Sequence, residues 1–195
     1  MKVSHLAFVL AIAAPAVASA DESTTPPAAE APKKIQLSAG LFYGMPQGDF
    51  KETGGMDLIG NSPGIVVGGG YQVIPKLSVL AALRYYSMSS EIDGVDLSSW
   101  EFQVGARYAH PVTPVVSVYG EGYVERVAYS LDAGGGSSDA SGFGFAVGGG
   151  VLYSFKPNVS FGGGITYSAA DLEPEMGENQ SSGWLSLNAF AAYHL

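Results

Sequence analysis

Trp100-Glu101-Phe102-Gln103-Val104-Gly105-Ala106-Arg107-Tyr108 decides how this chain folds. Trp100, Phe102, Val104, Ala106 and Tyr108 alternate with Glu101, Gln103, Gly105 and Arg107. Period two puts the first set on one face of a strand and the second on the other. The apolar face has rings at both ends and small aliphatics between them. A strand crossing a lipid bilayer has this profile, with its rings at the two interfaces.

The pattern recurs from Ile35 onward. It predicts strands at 35–45, 63–74, 77–90, 98–110, 115–130, 141–155, 159–170 and 182–195, each with one apolar face. Three connectors are short and contain proline: Ile74-Pro75-Lys76, His110-Pro111-Val112-Thr113-Pro114 and Lys156-Pro157-Asn158. The other four (46–62, 91–97, 131–140, 171–181) are longer and rich in Gly, Asp and Glu. Short turns at one end and long loops at the other, with an even strand count, predict an all-β, eight-stranded antiparallel transmembrane β-barrel with both termini at the turn end. Val67-Gly68-Gly69-Gly70 echoes Val147-Gly148-Gly149-Gly150, and the shared need for small inward residues accounts for the echo.

Upstream of the barrel, Met1–Ala20 combines Lys2, an apolar run and Ala18-Ser19-Ala20, the pattern of a secretory signal peptide. Residues 21–34 are Pro-, Ala- and polar-rich, as expected of a disordered periplasmic spacer. The chain has no cysteine, so neither a disulfide framework nor a lipidated N-terminus is expected. No later apolar run reaches the roughly 18 residues of a membrane-spanning helix.

Charge placement orients the faces. The chain carries 18 acidic and 9 basic residues. Only Glu101, Glu121 and Glu125 fall inside the predicted strands, whereas Asp49, Glu52, Asp57, Glu91, Asp93, Asp96, Asp132, Asp139, Asp171, Glu173, Glu175 and Glu178 fall in the long loops. A soluble ligand-binding barrel would carry charge along its outward face, and these strands do not. Arg84, Glu101, Arg107, Glu121 and Glu125 all sit opposite the apolar face. A lipid-facing Arg at mid-depth costs about 2–4 kcal/mol, so these five belong in the lumen as a structural charge network. Arg126 alone falls on the apolar face, near the loop end, where it meets lipid phosphate or is turned inward by a bulge. Eight strands leave an interior that side chains can fill. Inward glycines on the second, sixth and seventh strands make room for Arg84, Tyr86, Tyr119, Tyr123, Trp184 and Phe190.

This architecture resembles the small eight-stranded outer-membrane barrels of the porin family, namely the OmpA transmembrane domain, OmpX and the opacity proteins, over residues 35–195. The most specific match is the end of the chain, Leu187-Asn188-Ala189-Phe190-Ala191-Ala192-Tyr193-His194-Leu195. In that family this strand is an assembly signal with an aromatic third from last, which Tyr193 supplies, and a final Phe or Trp, where Leu195 departs. The resemblance implies an outer-membrane location, contact with lipid and lipopolysaccharide, recognition by the barrel assembly machinery, an interior salt-bridge network like the Arg/Glu set here, and a monomer. It does not imply the OmpA anchoring role.

No catalytic, cofactor or metal site is expected. Barrel enzymes that modify lipid A place a histidine at the outer rim as a general base, whereas His110 and His194 fall near the opposite end. The Gly-Gly-Gly runs lack the Lys-Ser/Thr of a phosphate loop, and no loop has calcium-binding spacing. Nucleic acid is not expected as a partner. The acidic loops are expected to be solvated and to keep molecules apart; the sharper alternative is that they bind divalent cations or a basic surface. The expected function is a structural or surface-interaction role through these loops, with a narrow passive channel as the alternative.

Overall fold

A computed structural model describes residues 34–47, 52–53, 56–57, 60–88, 95–133, 137–174 and 180–195. The expected signal peptide and spacer, up to residue 33, lie outside the described residues. Eight strands close into one antiparallel barrel: β1 (Ile35–Gln47), β2 (Ser62–Ile74), β3 (Leu77–Met88), β4 (Val95–Pro111), β5 (Val116–Ala133), β6 (Ser137–Lys156), β7 (Val159–Pro174) and β8 (Gln180–His194). Each strand pairs with its sequence neighbours, and β1 pairs with β8 from Gln36↔His194 to Gln47↔Gly183, so no edge is left open. A two-residue ribbon, Glu52–Thr53 against Met56–Asp57, stands in the first long loop.

The alternation maps onto the wall as expected of a barrel in lipid. Leu41, Ile65, Phe102, Val124, Phe145, Val147, Ile165 and Leu187 are exposed outward, while Arg84, Glu101, Gln103, Glu125 and Ser186 are buried inside. Phe102 is 54% exposed and its neighbour Glu101 1%. A water-soluble barrel would have these reversed. Trp100 faces out and packs on Tyr85, ring centroids 4.7 Å apart.

Strand extents depart from expectation at the loop end. β4, β5, β6 and β7 run past their predicted limits and take Asp96, Asp132, Asp139, Asp171 and Glu173 into regular pairing. These acids are therefore on strands, not in loops. The reason is that near the loop end the outward face carries acids while inward residues such as Leu172 stay buried, so the lipid-facing apolar alternation that marks a strand is no longer present. Arg126 is likewise settled. The β4–β5–β6 register is unbroken around it, so no bulge turns it inward, and it faces out.

At the turn end, Ile74↔Leu77 closes β2 onto β3 through Pro75 and Lys76, with Lys76 at φ 80°. Proline followed by a left-handed residue is a type II turn, whose second central position favours glycine. Lys76→Gly should therefore leave stability intact, whereas Lys76→Val should cost about 1 kcal/mol because a β-branched side chain fits poorly there. Denaturant midpoints in detergent check this, and equal midpoints for the two variants would contradict the strained turn. In the next turn the Thr113 hydroxyl accepts from the backbone N–H of Val115 (3.3 Å) and Val116 (3.0 Å). That bond fixes the hairpin between the two prolines.

Candidate functional site

Register brings the charged residues together. Arg84 lies directly opposite Glu101 across β3–β4, and Gln103 opposite Glu125 and Arg107 opposite Glu121 across β4–β5. Directly opposed side chains on one face are the pairs that interact. The five charged residues predicted for the lumen all point into it, but they form two layers, not one continuous network.

The layer nearer the loops centres on Arg84. Its Nη1 donates to Glu101 Oε2 at 3.1 Å, and its Nη2 donates across the lumen to Ser186 Oγ at 3.1 Å. The guanidinium lies 4.1 Å from the Phe42 ring centroid and 5.2 Å from that of Tyr86. Gln103 Nε2 donates to Glu125 Oε2 at 2.8 Å and reaches Glu101 Oε2 at 3.5 Å. Arg84 is 3% exposed, and charges so deeply buried are tolerated only when paired and hydrogen-bonded.

The second layer lies nearer the turns. Arg107 donates to Glu121 Oε2 from Nε at 2.9 Å and approaches it from Nη2 at 2.7 Å, and the Tyr123 hydroxyl donates to the same oxygen at 2.9 Å. The Arg107 guanidinium lies 4.5 Å from the Tyr119 ring centroid and 4.9 Å from that of Phe190, two rings that meet each other edge-to-face. A Cβ built on Gly162 would strike the Phe190 ring, so the bare glycine is what admits that ring. Between the layers remains a space of about 60 Å³ bordered by Arg84, Gln103, Arg107, Tyr123 and Asn188. That is room for a few water molecules.

Toward the loops the lumen is capped by Trp184, Tyr86, Tyr129, Met88, Val127 and Leu172. Trp184 Nε1 donates to the Tyr129 hydroxyl at 2.9 Å, and the Tyr86 and Trp184 ring centroids are 5.3 Å apart. Gln103, Ser186 and Phe42 were not singled out from the sequence as partners of the charges. Gln103 shares the inward parity of Glu101 and Arg107, a usable signal, whereas Ser186 is 102 residues from Arg84 and meets it only because the barrel closes. At the turn end, the Ser160 hydroxyl and His194 Nε2 are 2.8 Å apart, tying the final strand to β7. His110 is exposed. Among the described residues no cluster of three or more His, Cys, Asp or Glu could hold a metal ion.

The profile of the outer membrane protein beta-barrel domain matches residues 4–191. Neisserial surface protein A superposes with a TM-score of 0.69 at 18% identity, covering 83% of this chain and 97% of its own. OprG from Pseudomonas aeruginosa gives 0.55 at 16% identity over 84% of this chain and 97% of its own. Ail, the attachment invasion locus protein of Yersinia pestis, gives 0.52 at 16% identity over 82% and 98%. At such identities these likenesses are of fold. No curated protein matches the sequence.

Proposed function

This chain belongs to the outer membrane protein beta-barrel family, and on that premise we propose that it is a non-enzymatic barrel with a closed lumen, acting at the cell surface through its acidic loop end. The observation that carries this reading is the filled interior. Two ion-paired layers and an aromatic cap occupy the lumen in series, so transport through it is not what the geometry favours. Function then falls to the end that projects from the membrane. There the strands carry the exposed acids Asp139, Asp171 and Glu173 beyond the apolar belt. Two of the structural neighbours carry names that place them at a surface or in attachment, which supports the same reading. Export by the N-terminal segment and delivery through the assembly machinery, with the last strand as its signal, belong to this proposal.

Planar-bilayer recording tests it. The refolded barrel should add no steady single-channel steps above the bare-bilayer baseline. Reproducible steps that scale with salt would overturn the closed-lumen reading in favour of a passive channel.

A further inference from the structure

Three polar atoms beside the loop-side charge layer have no hydrogen-bond partner among the described residues: the Tyr86 hydroxyl, the Ser99 hydroxyl and Glu101 Oε1. Their residues are sealed from solvent, at 0%, 1% and 1% exposure. Register makes them neighbours. Tyr86 stands opposite Ser99 across β3–β4, and Glu101 is the next inward residue after Ser99 on β4. The Tyr86 hydroxyl faces the Glu101 carboxylate closely enough to interact with it, yet falls short of hydrogen-bond geometry. Buried polar groups are almost always paired, so three adjacent exceptions point to one shared partner outside the chain.

The polar groups around them are already engaged. Glu101 Oε2 takes Arg84 at 3.1 Å, and the Tyr129 hydroxyl, on the residue opposite Ser99 across β4–β5, takes Trp184 Nε1 at 2.9 Å. The chemistry of the three remaining atoms defines the ligand. Each hydroxyl can donate, whereas a carboxylate oxygen only accepts. A cation would stand beside the Arg84 guanidinium held on the same carboxylate, where a dry interior strengthens repulsion. An anion would face Glu101. A neutral molecule with two lone pairs and a proton to give satisfies all three atoms. The packed rings of Tyr86 and Trp184, centroids 5.3 Å apart, cover the place, so that molecule is small.

We propose that a single water molecule is a fixed part of this barrel, accepting hydrogen bonds from Tyr86 and Ser99 and donating one to Glu101 Oε1. Three bonds are the usual complement of a buried water. The water ties the aromatic cap to the charge layer and holds the carboxylate with Oε2 turned to Arg84 and Gln103. The proposal goes beyond the closed-lumen reading and does not depend on it, since conductance elsewhere in the lumen would leave these three atoms where they are.

Chemical denaturation of the full chain refolded in detergent tests the site. Ser99→Ala and Tyr86→Phe should each raise the unfolding equilibrium constant about fivefold, the net contribution of one hydrogen bond. The double variant should cost less than the sum, because either change alone already loosens the water. Unchanged or higher stability for Ser99→Ala would overturn the proposal, since deleting a hydroxyl without a partner relieves a buried polar group. A cost confined to Tyr86→Phe would overturn it in favour of a direct bond to Glu101, and strict additivity would overturn the sharing. Exchanging sodium for choline at fixed ionic strength should leave the wild-type midpoint unchanged; a shift would replace the water by a bound cation. A high-resolution crystal structure of the wild type should show one density peak within hydrogen-bond distance of all three atoms, and its absence would overturn the assignment.

Discussion

Replacing Arg84 by methionine will lower unfolding stability in detergent by about 3–5 kcal/mol, the cost of removing one partner of a buried ion pair. Methionine keeps much of the apolar stem, so the loss reports on charge more than on volume. What remains is the informative part. Glu101, 1% exposed, and Glu125, 3% exposed, would face each other through Gln103 with no cation between them. The double variant Arg84→Met with Glu101→Gln should recover most of the loss, because a neutral amide no longer needs the guanidinium. Chemical denaturation of the refolded barrel checks both. A loss below about 1 kcal/mol for the single variant would mean that the layer is hydrated and the pair screened, as for surface pairs. Arg126→Met, on the outward rim, should by contrast move the midpoint little.

This contrast between two arginines on opposite faces of the barrel wall shows what the sequence makes legible. Parity within a strand is local. Once Trp100, Phe102 and Val104 define the apolar face, Glu101, Gln103 and Arg107 must point the other way, and each other strand declares its own apolar face in the same manner. Inward placement of all five charged residues follows from this alone. Their grouping does not. Whether Arg84 reaches Ser186 or rests on Phe42 depends on the stagger with which β1 and β8 close the barrel, and the stagger is a property of the whole wall, not of any segment. The same limit explains why one expected network is two layers, with Arg107 paired to Glu121 and set against the rings of Tyr119 and Phe190. The over-long loops have a different cause. Asp139 and Asp171 stand on the outward face at the loop end, where that face is no longer uniformly apolar, so polarity there reads as loop although the ladder continues.

Trp184→Ala should likewise cost about 3–5 kcal/mol, the usual cost of truncating a buried tryptophan. It removes a side chain 1% exposed, its 2.9 Å hydrogen bond to the Tyr129 hydroxyl and its packing on Tyr86. It should not open the barrel. Beneath the cap the Arg84–Glu101 layer still spans the lumen through Ser186, and the Arg107–Glu121 layer lies below that. Bilayer recordings of this variant should therefore stay at baseline, and steady steps would show that the cap alone is the seal. Its role is better seen in energy. The cap keeps water from the guanidinium and carboxylate beneath it, and an ion pair is stronger when its surroundings are dry. Once Trp184 is removed, water reaches Glu101 and solvates it whether or not Arg84 is present. Arg84→Met should then cost less in the Trp184→Ala background than in the wild type, with a coupling of about 1 kcal/mol or more in the double-mutant cycle. Strict additivity would mean that cap and charge layer are independent pieces of filling; coupling would make the cap the reason buried charges are stable in the lumen.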